Sequence, residues 1–232
     1  RDPQVRLVVE VIGGERPALD YLRMALEEGK SVVTANKEVM AKHGPELLEL
    51  ANKNGVQLLF EASVGGGIPI LGPLTKDLRG NEIKAIRAII NGTTNYILTK
   101  MTYENMEFTQ ALEEAQELGY AEADPTNDVE GIDAGYKLAI LASLAFRTKV
   151  AAQDVYQEGI SRLTSRDFRY ARELGYVIKL MAIARRDGDQ LEARVHPVLI
   201  PQDAPLAKVD GVLNAVEIET DLAGRVLFHG RG

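Results

Sequence analysis

The apolar positions of this chain keep different rhythms in its two parts. Over residues 5–12 they are almost continuous and the run ends at Gly13-Gly14, the pattern of a buried parallel strand. Residues 17–28 then place Leu19, Leu22 and Leu26 on one stripe and stop at Gly29, which predicts a helix with a glycine terminator. A short strand is expected over 31–34, followed by an Ala35-Asn36-Lys37 turn, a helix through Leu47, Leu48 and Ala51, and a further strand over 56–61. Strands alternating with helices across short links make a parallel α/β unit, in which ligands sit at the carboxyl ends of the strands. Gly13-Gly14, Asn36-Lys37 and residues 61–67 all fall there.

After residue 64 the pattern changes. Residues 82–90 alternate as a strand, 91–101 read as a turn into a helix, and 108–118 form an acidic amphipathic helix with a solvated face. A helix opens at 164–167 and runs past Tyr170 and Leu174. Strands over 176–184 and 191–200 flank a polar turn, and a second hairpin joins 212–218 to 225–228. Antiparallel pairing therefore follows parallel pairing, and two unlike layers or domains are expected.

Residues 119–147 stand out from both patterns. They open on a loop holding Glu122, Asp124, Asp128, Glu130 and Asp133 and run into a segment, 131–146, that is apolar on every side and predicts a buried helix. Asp133 and Lys137, four residues apart, share one face of it. An exposed i,i+4 ion pair is the ordinary meaning of such spacing and stabilises a helix by roughly 0.2–0.5 kcal/mol. Here Ala134, Tyr136, Leu138, Ala139, Ile140 and Leu141 surround the pair, so it is expected to be buried or to face a cavity. Burying charge is costly, which favours a functional role. One cation among several carboxylates suits a small zwitterion whose reacting oxygen needs a proton donor.

Composition removes several classes of function. Among 232 residues there is no Cys, which excludes disulfides, thiolate metal sites and thiol nucleophiles. A net charge of −7 without a Lys/Arg block argues against nucleic acid and against an anionic membrane as partners. No apolar run reaches the ~20 residues that span a bilayer, and no signal peptide opens the chain, so a cytoplasmic protein is expected.

Other positions carry two meanings each. Gly13-Gly14 is a turn or a ligand contact, and Lys37 is a phosphate or substrate ligand or a solvated side chain. Residues 63–70, SVGGGIPI, are a tight turn, or a loop whose turned-in carbonyls join Glu61 around a hard cation; they lack the spacing of a dinucleotide fingerprint. Asn91, Thr93 and Thr94 are helix caps or a carboxylate-binding helix start. His196, alone in a strand, is read as structural.

Taken together, VVEVIGG (8–14), VVTANKEVMA (32–41), FEASVGGGIPI (60–70), INGTTNYIL (90–98), GYAEADPTNDVEGIDAGYKLAILA (119–142), HPVLIP (196–201) and GVLNAVEIETDLAGRVLFHGRG (211–232) resemble homoserine dehydrogenase. The resemblance implies NADH- or NADPH-dependent reduction of L-aspartate 4-semialdehyde to L-homoserine, on the branch to threonine, methionine and isoleucine. It implies a Rossmann-type α/β nucleotide-binding domain, N-terminally incomplete here, plus an α+β catalytic and dimerisation domain with a mixed or antiparallel sheet. Expected bounds are 1–63 for the nucleotide-binding remainder, 64–205 for the catalytic domain and 206–232 for a segment returning toward the first. Lys137 would donate the proton with Asp133 as its companion. Glu122 and Asp128 would hold the substrate amino group, Thr93 its backbone end, and Lys37 would lie between substrate and cofactor. Ile12 and Gly13 would touch NAD or NADP, while Glu61 and the carbonyls of Val64, Gly66 and Ile68 would match a monovalent (sodium) site. A homodimer is implied as well. NAD and NADP remain equal expectations, because the residue that reads the ribose lies in the missing first half of the nucleotide fold. The nearest enzymatic rival, a phosphorylating semialdehyde dehydrogenase, forms a thiohemiacetal on Cys and is excluded by composition. A non-catalytic amino-acid-binding or assembly module is the alternative from another class; it would have no use for the Asp133/Lys137 pair.

Overall fold

The computed structural model describes residues 2–232. Three short strands, β1 (Leu7–Glu10), β2 (Ser31–Thr34) and β3 (Leu58–Leu59), form a parallel sheet in the order β1-β2-β3. They are joined by α1 (Ala18–Glu27) and α2 (Lys37–Lys53). Leu19, Leu22 and Leu26 are fully buried, so the predicted stripe is the face α1 turns to the core. Asn36 caps α2, its side-chain oxygen accepting the Val39 N–H at 3.1 Å.

Two expectations for this unit need correction. The run over 5–12 is not buried: β1 is the sheet edge, and Leu7 and Val9 are 53% and 62% exposed. Continuous apolarity there reflects a face that nothing among the described residues covers. The strand expected over 56–61 pairs only at Leu58 and Leu59 and gives way to a 3-10 turn, Glu61–Ser63. The cause is Glu61, whose carboxylate turns to accept the N–H groups of Ile70, Leu71 and Gly72 at 2.7, 2.7 and 2.9 Å. It thereby caps the short helix α3 (Leu71–Thr75).

The remainder is built on six strands: β4 (Ile83–Ile89), β5 (Tyr156–Gln157), β6 (Tyr176–Asp187), β7 (Gln190–Pro201), β8 (Leu213–Thr220) and β9 (Arg225–Arg231). Their order is β5-β7-β6-β4-β8-β9, with β5 parallel to β7 and every other neighbour antiparallel. The sheet is thus mixed. Helices α4 (Gly92–Glu104), α5 (Phe108–Glu117), α6 (Thr126–Val129), α7 (Ile132–Phe146) and α8 (Ser165–Glu173) complete this part. Period-two alternation divides the strands: Ile178, Leu180 and Ala182 join the main core, while Val177 and Met181 pack with Ile89, Ile200 and Leu206 on the other side. Residues 213–231 pair in this sheet as the expected hairpin. Its end lies against the loop before α3, with the Gly67 N–H donating to the Arg231 carbonyl at 3.2 Å. Among the described residues, no helix is long and apolar enough to cross a membrane.

Candidate active site

The site is assembled where four chain segments meet. β4 delivers Ile90 and Asn91 to the start of α4. Asn91 caps that helix by accepting the Thr94 N–H at 2.8 Å, which leaves its amide hydrogens free to bond elsewhere. They go to two carboxylates, Asp128 Oδ1 at 2.7 Å and Asp133 Oδ2 at 2.9 Å. Asp128 stands on α6, and Gly131, with φ 79°, makes the left-handed turn that swings the chain into α7.

The α7 helix places Asp133 and Lys137 one turn apart, with Asp133 Oδ2 and Lys137 Nζ separated by 2.6 Å. Asp133 is only 3% exposed, so the exposed ion pair considered for this spacing is absent. Lys137 also donates to the Ile90 carbonyl at 2.8 Å. From the parallel unit, Lys37 at the first turn of α2 reaches the other oxygen, Asp133 Oδ1. One buried carboxylate therefore holds two ammonium groups from different parts of the fold.

Electrostatics stabilise that cluster as charged. Burial pushes the Asp133 carboxyl upward, but Lys137 and Lys37 beside it outweigh burial and hold it below the usual range. Burial likewise works to lower the Lys37 ammonium, yet Asp133, Asp128 and Glu122 raise it above its ordinary value. These groups open on a cavity of about 410 Å³ lined by Lys37, Asn91, Thr93, Asp128, Asp133 and Lys137, with Tyr120, Val212, Arg231 and Gly232 around them.

The other expected site residues are placed as follows. Thr93 lines the cavity, with its hydroxyl donated to the Tyr120 carbonyl at 2.6 Å, so what it offers a ligand is the helix start rather than the hydroxyl hydrogen. Glu122 is exposed and does not line the cavity; it acts there through its charge on Lys37. Ile12 and Gly13 are exposed on the loop after β1, which is tied to the Lys37 turn by the Asn36 amide donating to the Gly14 carbonyl at 2.8 Å. Glu61, Val64, Gly66 and Ile68 lie on the separate loop before α3. There the Glu61 carboxylate accepts three amide N–H groups, and it lies on the same loop as the Val64, Gly66 and Ile68 carbonyls. Among the described residues no group of three or more His, Asp or Glu side chains is disposed around a metal position.

Sequence reasoning left Asn91 between a helix cap and a carboxylate-binding helix start, and did not foresee that its amide would hold two carboxylates of the chain itself. A cap residue's spare amide gives no periodic signal, and its carboxylate partners are set by the fold. Asn36, which ties the Ile12–Gly14 loop to α2, was missed for the same reason.

Comparison with known proteins shows the family. Residues 69–232 match the family model described as homoserine dehydrogenase, and residues 1–61 match that described as the homoserine dehydrogenase NAD binding domain. The homoserine dehydrogenase of Synechocystis sp. is 52% identical over 235 residues, covering 100% of this chain and 54% of that protein. That of Bacillus subtilis is 49% identical over 231 residues, covering 100% and 53%. Among solved structures, a homoserine dehydrogenase from Thiobacillus denitrificans superposes with a TM-score of 0.98 at 50% identity, over 100% of this chain and 54% of the other. A hyperthermophilic archaeal homoserine dehydrogenase in complex with NADPH gives 0.85 at 35% identity, over 98% and 66%. The chain spans about half the length of the curated relatives it matches. With both family models matched in order along the sequence, and a parallel sheet joined to a mixed one as in the solved relatives, the chain belongs to the homoserine dehydrogenase family.

Proposed function

We propose that the chain interconverts L-aspartate 4-semialdehyde and L-homoserine with NAD or NADP, and that the cluster of Lys37, Asp133 and Lys137 is its reacting centre. The observation that carries this reading is the pairing of a buried carboxylate with two ammonium groups at a cavity. A buried ion pair adds little to stability over apolar packing, so a cluster of this kind is kept for what it does. The alternative of a non-catalytic binding module leaves that cost without a purpose.

The Lys137 ammonium has three hydrogens, and two are engaged by Ile90 O and Asp133. The third is free for the carbonyl oxygen of an aldehyde in the cavity. As that oxygen gains negative charge, Lys137 neutralises it and passes it a proton, while Asp133 orients the amine. In the reverse direction Lys137 accepts the proton of the alcohol. The bound nicotinamide supplies or accepts the hydride. Ile12 and Gly13 suit its approach, because a Cβ at Gly13 would meet no atom within 4 Å. Lys37 lies between that loop and Asp133. Asp128 and Glu122 offer negative charge to the substrate ammonium, and the start of α4 at Thr93 offers backbone N–H groups to its carboxylate.

The same reading divides the chain into a nucleotide-binding part over 1–63, a catalytic and dimerisation part over 64–205 and a segment over 206–232 that returns toward the first. A homodimer built on the six-stranded sheet and a cytoplasmic setting belong to the proposal. A monovalent cation would be held by Glu61 with the carbonyls of Val64, Gly66 and Ile68.

The test is oxidation of L-homoserine at alkaline pH, followed by reduced-nicotinamide absorbance with NAD and NADP separately. Turnover is expected, and running it in sodium, potassium and neither reads the cation. Absence of turnover together with absence of a homoserine-induced rise in melting temperature would return the binding-module reading.

A further inference from the structure

Glu10, the last residue of β1, is a charge that the mechanism above does not use. It is 2% exposed, and among the described residues no cationic side chain bonds to it. Its carboxylate meets donors only. Oε1 accepts from the Ile12 N–H at 2.8 Å and, at 3.5 Å, from the Asn36 amide; Oε2 accepts from the Thr34 hydroxyl at 2.5 Å. The Thr34 oxygen already accepts the Asn36 N–H at 3.0 Å, so the hydroxyl hydrogen belongs to Glu10.

The place of this charge is informative. Glu10 faces Thr34 in register at the carboxyl ends of adjacent parallel strands, where sheets of this kind bind ligands. It holds the first residues of the loop that carries Ile12 and Gly13, and through Thr34 and Asn36 it fixes the turn from which Lys37 leaves for Asp133. A neutral side chain would tie the same strand ends without the penalty of burying an unpaired carboxylate. The charge therefore calls for a partner of opposite sign beside the loop, and the oxidised nicotinamide ring is a cation where the reduced ring is neutral.

We propose that Glu10 is a positioning residue whose buried, unpaired carboxylate orders the Ile12–Gly14 loop and the Lys37 turn and favours the oxidised over the reduced nicotinamide. The inference rests on the nicotinamide-dependent reading of the site. The full chain and its Glu10→Gln variant are titrated with oxidised and with reduced nicotinamide mononucleotide, alongside thermal melts. Wild type is expected to prefer the oxidised form, and Glu10→Gln to lose about fivefold or more of that affinity with less than about a twofold change for the reduced form. Equal losses for both forms, no change, or a wild type that binds neither probe or prefers neither would overturn the role. If Glu10→Gln fails to fold, Glu10→Asp keeps the charge and shortens the reach: it must weaken both forms and preserve the oxidised preference, and loss of that preference overturns the proposal. L-Homoserine is added to the same melts. Stabilisation by homoserine without nicotinamide preference removes only the role of Glu10; preference without homoserine binding removes only the assigned reaction.

Discussion

Lys137 illustrates how much of a residue's role is decided by what its neighbours leave over. Ile90 O and Asp133 take two of its hydrogens, which leaves a third on a side chain that lines the cavity. Lys137→Ala is expected to lower turnover by about 10²–10⁴-fold while the melting temperature moves by only a few degrees, as steady-state kinetics and thermal denaturation will show. The Lys37–Asp133 pair has its own pH window. Asp133 sits below its unfolded value, near ~3.9, so its stabilisation is present above that pH and fades as pH falls through the lower folded value. Lys37 sits above its unfolded value, near ~10.4, so its share is present below that pH and is lost only as pH rises through the higher folded value. The melting-temperature gap between wild type and Asp133→Asn should therefore be flat between about pH 5 and 9 and begin to narrow as pH falls below about 4; a gap that widens with falling pH would contradict the assignment. At this scale the sequence made Asp133 and Lys137 legible because polar residues are conspicuous on a helix that is apolar all round. Lys37 and Glu61 stayed ambiguous, the first because its partner lies on another element, the second because a carboxylate that caps a helix and one that ligates a metal look alike in sequence.

The helices were legible wherever their apolar period was long, and α7 begins within a residue of its expected start. Short elements were not. β3 pairs at two residues because Glu61 leaves the strand to cap α3, a tertiary demand that local propensity does not contain. The turn that presents Asp128 is equally dependent on context. Gly159 packs against the end of α6 so closely that a Cβ there would lie 2.5 Å from the Val129 carbonyl oxygen and 2.6 Å from Glu130 Cα. Both are backbone atoms and cannot move aside alone. Gly159→Ala is expected to destabilise the fold by about 1–3 kcal/mol and to raise KM for homoserine more than it lowers kcat, because it displaces Asp128 and leaves Lys137 in place. Denaturant unfolding and steady-state kinetics measure the two effects.

Across the whole molecule, the change from parallel to antiparallel pairing was read from strand patterns alone, and the position of the site at the join was not. The join is made by Lys37 crossing to Asp133 and by the Gly66–Gly67 backbone lying against Arg231 and Gly232, where a Cβ on Gly66 would come within 2.4 Å of Gly232. Neither contact has a local pattern. The outer edge of the smaller sheet has a different consequence. β1 offers unpaired backbone groups and exposed Leu7 and Val9 side chains to solvent, and such an edge accepts a strand from whatever molecule is nearest. In a concentrated solution of this 232-residue chain the nearest molecule is another copy, so light scattering should grow with concentration and warming. Leu7→Lys, at the far end of β1 from Glu10, should suppress that growth. The yield of soluble material on storage would then be set by the open edge of one short strand.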